Sequence, residues 1–421
     1  MKFFSIPGNR FVYKSIFYNN YETILSYIRI VINYVKEGER LKAERVELMD
    51  ALRGFSLIGI LIANMLYFQF GSSGVEIIES ASGLNKVSYY FVKIVVEGSF
   101  YPIFGFVFGY VLIKMIESRE AAGLKYKNIV FRRAVGLSIL GAMHLALVWE
   151  GDVLLSYGST LFILLLFFLK RRVKTYFVWG FILTAILGVG AFFGSSFIEL
   201  LKPLTAAEIM TYQYGTYAEI LTQRLGGLLV EDGLTLLLIL PIGWILLVGI
   251  SFLMVGPFVL FGMGMAKSGA FLQLEKNTRK YKKVALLVPV GLLLKVFIIF
   301  DTPYSLFIYS AGTYVLAIGY IALFAWLFIR YQTQMNNYFA PIGKLSLTNY
   351  LMQSIICTII FYGYGFGLFE KLGIFVGILL SIIIYGIQLK ASQLYLKRFS
   401  LGPVETILRW FVYLKNPRNV N

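Results

Sequence analysis

The chain has 421 residues, with 39 Lys and Arg against 22 Asp and Glu, a formal net charge of +17. Hydrophobic residues make up 58% and charged residues 14%, where a soluble domain carries about 25% charged residues. An ordinary soluble enzyme is excluded, because its surface would be largely apolar. The single cysteine, Cys357, and the single histidine, His144, exclude a disulfide scaffold and a Cys/His metal site, so no metal is expected.

Residues 1–49 lack the compact apolar core and small-residue cleavage site of a signal peptide, and are expected to remain as a cytosolic amphipathic segment. Within them Phe11, Val12, Ile16, Phe17, Ile24, Ile28 and Ile32 form a helical stripe over 11–36. That segment is too polar to span and suited to lie on a membrane surface.

A membrane span needs roughly 20 apolar residues. Such runs occur at 51–70, 87–117, 134–149, 152–169, 175–194, 234–266, 284–300, 305–330, 343–363 and 371–395. They predict an all-α polytopic membrane protein with about ten transmembrane helices, its helical domain covering 50–395. Lys and Arg test the count, since they collect in cytosolic loops. Segments 1–49, 114–133, 170–174, 267–283 and 390–421 hold 8, 6, 4, 6 and 6 of them, whereas 71–86 and 195–233 hold only Lys86, Lys202 and Arg224.

This alternation places both termini and the 396–421 tail in the cytosol. It makes 194–233 an extracytoplasmic loop and the protein multi-pass in the plasma membrane. The basic residues sit at span ends, so they read as orientation signals and contacts with membrane lipid, with no nucleic acid as partner. Glu199, Glu208, Glu219, Glu231 and Asp232 make the long outer segment acidic, and it is expected to cap an outward-facing cavity.

Two runs exceed what a bilayer requires. The first, 87–117, contains Gly98 and Pro102, and the second, 234–266, contains Pro241 and Pro257. Each is expected to be kinked or discontinuous, as helices lining membrane cavities are. An ionisable group inside a span costs about 2.5–3.5 kcal/mol on insertion scales and is a functional candidate. Lys93 and Glu97 are four residues apart and suited to a structural ion pair. Lys295 and Asp301 lie near an outer span end, where a lysine stem can snorkel to water. Gly262-Met263-Gly264 has no strand before it and so lacks the context of a phosphate-binding loop.

The first and third spans share a pattern. Each starts with an arginine at the cytosolic face and carries a polar residue eleven positions on, Arg53 to Asn64 and Arg133 to His144. Eleven residues of helix rise about 16 Å, roughly to the bilayer middle. An imidazole ordinarily titrates near neutral pH, which makes it the natural proton carrier here. Trp149-Glu150-Gly151-Asp152 follows as a tight turn, and either Asp152 or Glu150 is positioned to orient the imidazole if the turn folds back. The competing reading is a histidine hydrogen-bonded between helices as packing glue.

Several stretches resemble the YeiB-like family of bacterial membrane proteins, whose C-terminal part is a domain of unknown function, number 418. They are Arg45-Val46-Glu47-Leu48-Met49-Asp50-Ala51-Leu52-Arg53-Gly54-Phe55, Phe104-Gly105-Phe106-Val107-Phe108-Gly109, and His144 with Trp149, Gly151, Asp152 and Tyr157. Then come Gly343-Lys344-Leu345-Ser346-Leu347-Thr348-Asn349-Tyr350-Leu351-Met352-Gln353-Ser354, Tyr362-Gly363, and Gly402-Pro403-Val404-Glu405 with Arg409. The match runs over about 44–415, with the family's C-terminal domain at about 234–415.

That family looks like a branch of the transmembrane acyltransferase superfamily. The resemblance implies transfer of an acyl group from cytosolic acyl-CoA, as cosubstrate, to an unknown acceptor. In the related O-acetyltransferases, a similar Asp-x-x-Arg opening is followed eleven residues after the Arg by a catalytic histidine. Here that position is Asn64, and His144 is expected to serve instead.

In this reading Arg53, Arg132 and Arg133 neutralise the acyl-CoA phosphates. His144 deprotonates the acceptor, with Asp152 and Asn64 beside it. The alternatives are a transporter or exporter of a small or lipidic molecule, with His144 and Asp152 as a proton site and the broken spans as a gate, and a non-catalytic membrane scaffold. No clear inverted repeat supports the transporter.

Overall fold

A computed structural model describes residues 47–71, 82–193, 206–226, 233–300, 302 and 304–414. The surface helix expected over 11–36 lies outside them, as do Glu199, Glu231, Asp232 and Asp301. Contacts within the chain divide it into Met1–Glu47 and Leu48–Asn421, and the second unit holds the architecture that follows. Among the described residues the structure is all-helical, with no strand.

Among the described residues seven helices are long and apolar enough to cross a membrane. The first, α1, is Glu47–Phe70. The second expected span is discontinuous, as Gly98 suggested. It comprises α2 (Gly83–Phe91), a π-helical turn (Val92–Val96), a break at Glu97–Ser99, and α3 (Phe100–Ala121). A hairpin of α4 (Lys127–Leu147) and α5 (Leu154–Ile163, extended by a π-turn to Phe168) follows, then α6 (Val173–Phe193).

The segment expected as an outer loop contains two helices, α7 (Ala206–Tyr214) and α8 (Tyr217–Gly226). Helix α9 is continuous from Gly233 to Ser268, so of the kinked or discontinuous helix expected from Pro241 and Pro257 the discontinuous form is overturned. A proline removes one amide donor, and a membrane helix can absorb that loss without parting.

The expected span 284–300 is divided among α10 (Thr278–Ala285), α11 (Leu287–Val296) and a short 3-10 turn (Phe297–Ile299). The remainder is α12 (Ser305–Arg330), α13 (Gln332–Lys344), α14 (Ser346–Phe361), α15 (Ile374–Tyr395) and α16 (Pro403–Tyr413). Two apolar helices, Leu154–Phe168 and Ser346–Phe361, are shorter than a full span. The ten expected spans therefore map onto seven full-length helices and three shorter helical segments.

Helices in an apolar solvent gain little from burying more apolar surface, so close backbone approach through small residues holds them together. The glycines of the sequence motifs supply it. A Cβ added to Gly109 would lie 2.0 Å from the Val259 carbonyl oxygen, and one on Gly262 would lie 1.9 Å from that of Phe106. The Gly262-Met263-Gly264 pattern is thus part of the α3–α9 crossing. Likewise a Cβ added to Gly54 would lie 2.0 Å from the Phe339 carbonyl oxygen, and one on Gly343 would lie 1.7 Å from that of Asp50, so close approach at these glycines locks α1 against α13. No larger residue fits at these four positions without parting the helices.

Candidate functional site

At one end of α4, His144 and Asp152 meet. Nδ1 of His144 lies 2.8 Å from Oδ2 of Asp152, and the two side chains are 1% and 0% exposed. The other carboxylate oxygen of Asp152 accepts the backbone N–H of Leu155 at 2.8 Å, satisfying one of the free donors at the start of α5. One carboxylate therefore caps a helix and orients an imidazole.

Two residues to which sequence reasoning gave no role at this site hold this geometry. Gly141 stands one turn before His144, and a Cβ there would lie 2.1 Å from the Leu155 nitrogen and 2.7 Å from Oδ1 of Asp152; only glycine lets the hairpin close this tightly. Tyr350 of α14 accepts the N–H of Val153 at 3.3 Å and donates to the carbonyl of Gly151 at 3.4 Å, pinning the turn. Its ring centroid is 5.4 Å from that of His144. Tyr350 lay within a motif already singled out, but its role depends on tertiary contact.

Nε2 of His144 is buried and finds no hydrogen-bond partner among the described residues. The expected span starts at 134, whereas α4 starts at Lys127, so His144 falls in the last helical turn. Asn64 is half-buried and makes no hydrogen bond to His144 among the described residues, so the structure does not join the two.

The surroundings are aromatic. Phe68 packs on Trp149 with centroids 4.1 Å apart, and Tyr212 stacks on Phe369 at 5.7 Å. Helices α7 and α8 close over this end. Tyr212 donates to Glu150 at 3.1 Å, Tyr217 donates to the carbonyl of Leu147 at 2.8 Å, and Arg224 reaches that of Ala146 at 3.4 Å. Glu150, the other candidate partner for the imidazole, instead pairs with Arg224 at 3.3 Å.

The arginines gather near the opposite ends of α1 and α4. Arg53 pairs with Asp50 at 3.0 Å and reaches the carbonyl of Gly343 at 3.5 Å, so the Asp-x-x-Arg motif neutralises itself across one helical turn. Arg133 lies over the Phe108 ring, 5.2 Å from its centroid. Its Nε is buried without a hydrogen-bond partner among the described residues, and it lies within electrostatic reach of Arg53. Arg132 is half-exposed. Of the three, Arg133 keeps the most capacity to meet an anion.

Helix α16 covers this end of the bundle, with Leu408 and Phe411 against Gly136 of α4. Its Glu405 accepts the backbone N–H groups of Leu347 at 2.8 Å and Thr348 at 3.1 Å, and the Thr348 hydroxyl at 2.5 Å. The Gly402-Pro403-Val404-Glu405 motif thus carries a carboxylate cap for another helix, where the partial positive charge of an N-terminus favours an anion.

Lys93 and Glu97 form the expected ion pair, with Nζ 2.7 Å from Oε2. Lys295 differs from expectation. Instead of snorkelling it is fully buried, with Nζ donating to the carbonyl of Glu97 at 2.5 Å and to Oγ of Ser99 at 3.1 Å, above the Tyr309 ring. The helix break frees carbonyls that hydrocarbon cannot solvate, and a cation can satisfy them. Tyr309 and Tyr320 complete the repair by donating to the carbonyls of Lys93 and Val95 at 3.0 and 2.9 Å. Among the described residues no group of three or more His, Cys, Asp or Glu could hold a metal.

Residues 265–415 match the family described as "Protein of unknown function (DUF418)". The "Uncharacterized protein YxaH" of Bacillus subtilis (strain 168) is 28% identical over 398 residues, covering 89% of this chain and 96% of the relative. The "Uncharacterized 39.9 kDa protein in amylase 3'region" of Bacillus acidopullulyticus is 27% identical, covering 88% and 94%. The "Uncharacterized protein YeiB" of Escherichia coli (strain K12) is 25% identical, covering 87% and 96%. The domain match and the near end-to-end similarity to these relatives support a YeiB-like family for this chain.

Proposed function

We propose that the protein is a plasma-membrane acyltransferase with ten spans and both termini in the cytosol, and that His144 is its general base. The observation that carries the reading is the buried His144–Asp152 contact at 2.8 Å with Nε2 left without a partner. An imidazole that donates its Nδ1–H to a carboxylate presents the Nε2 lone pair for proton abstraction.

Nε2 takes the proton of an acceptor hydroxyl or amine. The acceptor's oxygen or nitrogen forms the new acyl bond as the thioester C–S bond breaks, and the leaving thiolate takes the proton back. Arg133, with Arg53 and Arg132 beside it, meets the phosphates of acyl-CoA at the other end of α4. The rise from Arg133 to His144 is about 16 Å, a separation that an extended thioester arm must bridge.

The test is transfer of label from radioactive acetyl-CoA to the lipid or glycan fraction of membranes carrying the protein. Transfer that depends on Arg133 and weakens with salt supports the reading. No transfer from any short-chain acyl-CoA, with no binding of coenzyme A, counts against it.

The transporter reading draws on one observation, the discontinuous helix at Glu97–Ser99 with charged residues around it. Broken helices bind ions through their freed carbonyls, but here the carbonyls of Lys93, Val95 and Glu97 already accept from Tyr309, Tyr320 and Lys295. That leaves the acyl-transfer reading ahead.

A further inference from the structure

A cavity of about 570 Å³ lies between α3, α6, α9, α10 and α12, in the size range of a small-molecule site. It is remote in sequence from the His144 turn and shares no lining residue with it. Its walls are a run of rings. Phe261 contacts Phe181 at 5.1 Å and Phe258 at 6.0 Å, while Phe271 stacks on Tyr281 with planes 4° apart.

The polar lining side chains are Ser268, Asn277 and Lys280, besides Tyr281, whose hydroxyl donates to the carbonyl of Ala270. The first three lie at the end of α9, just before α10 and in its first turn. Six basic residues fall between 267 and 283, against the single acid Glu275, and all six are exposed. Phe181, in the most peripheral of the seven spans, is 62% exposed and gives the cavity a lateral wall toward lipid.

We propose that this cavity holds the hydrocarbon tail of a single-chain anionic amphiphile, a fatty acid, with its head beside Lys280. An apolar void forfeits dispersion contacts on every side, and aromatic walls return them to an aliphatic chain. With a methylene taken as about the bulk of a water molecule, ~30 Å³, the volume takes one tail of fewer than about twenty carbons. Two tails do not fit. The basic collar supplies the complementary charge, as clustered Lys and Arg do at anionic headgroups.

The test uses purified, delipidated full-length protein and a diazirine-bearing palmitate, with crosslinks mapped by peptide mass spectrometry. Labelling should concentrate on Phe258–Val284 and be competed by palmitate. Ile318→Trp, which fills the cavity from a partly exposed position, and Lys280→Glu, which reverses the exposed charge, should each lower labelling roughly tenfold with the melting temperature unchanged. Competition by hexadecanol as effective as that by palmitate overturns the anionic requirement. Competition by phosphatidylglycerol but not palmitate overturns the single-chain assignment. Labelling spread evenly along the lipid-facing side of α15 and indifferent to both variants overturns the site.

Discussion

The Nζ of Lys295 donates to the carbonyl of Glu97 across 198 residues of chain, so an ammonium from α11 occupies the break between the π-turn and α3. Lys295→Met leaves that carbonyl and Ser99 Oγ buried without a donor, and an orphaned buried polar group costs about 1–3 kcal/mol. The melting temperature in detergent should fall by several degrees, whereas the exposed Lys283→Met should leave it unchanged. Equal melting of the two variants would remove Lys295 from this role.

Glu405 gives a second stability test. Glu405→Ala strips the start of α14 of the acceptor for two backbone amides, and loss of a helix cap costs about 1 kcal/mol. Amide exchange at Leu347 and Thr348 should quicken in the variant. Unchanged exchange there would show that the amides find another acceptor.

Gly141→Leu addresses the hairpin that assembles the dyad. Its side chain must displace Leu155 or Asp152, and overpacking of this kind costs about 1–3 kcal/mol. Activity should fall more steeply than stability, since Asp152 is the group pushed away from His144. A variant that folds and works normally would mean the close approach of α4 and α5 is dispensable.

The spans and several of their interruptions were legible in the sequence because apolar runs and glycines act locally. Gly98 marked a true break, with φ +73. Pro241 and Pro257 marked none, since whether a proline opens a helix depends on its neighbours. The turn Glu150-Gly151-Asp152 offered two carboxylates to the imidazole, and nothing local chose between them. Asp152 prevails because Arg224, from a helix in the segment expected as a loop, engages Glu150. The burial of Lys295 was equally hidden, because its acceptors lie 198 and 196 residues upstream.

The ten-span arrangement is tested by cysteine accessibility on a Cys357→Ala background. Asn277→Cys should react only with permeant reagent and Thr216→Cys with impermeant reagent from outside. Outside labelling at position 277 would invert or break the proposed topology.

The most direct test of the central claim is the activity of His144→Gln, measured beside its thermal stability. Glutamine keeps a polar, hydrogen-bonding side chain in contact with Asp152 but cannot take a proton. The account expects the variant to fold with a melting temperature near that of the native protein and to lose acyl transfer by about 10²–10⁴-fold, the usual contribution of a general base. A folded variant that retains transfer, or one whose stability collapses, would contradict the assignment of His144 as base and return it to the role of packing glue between helices.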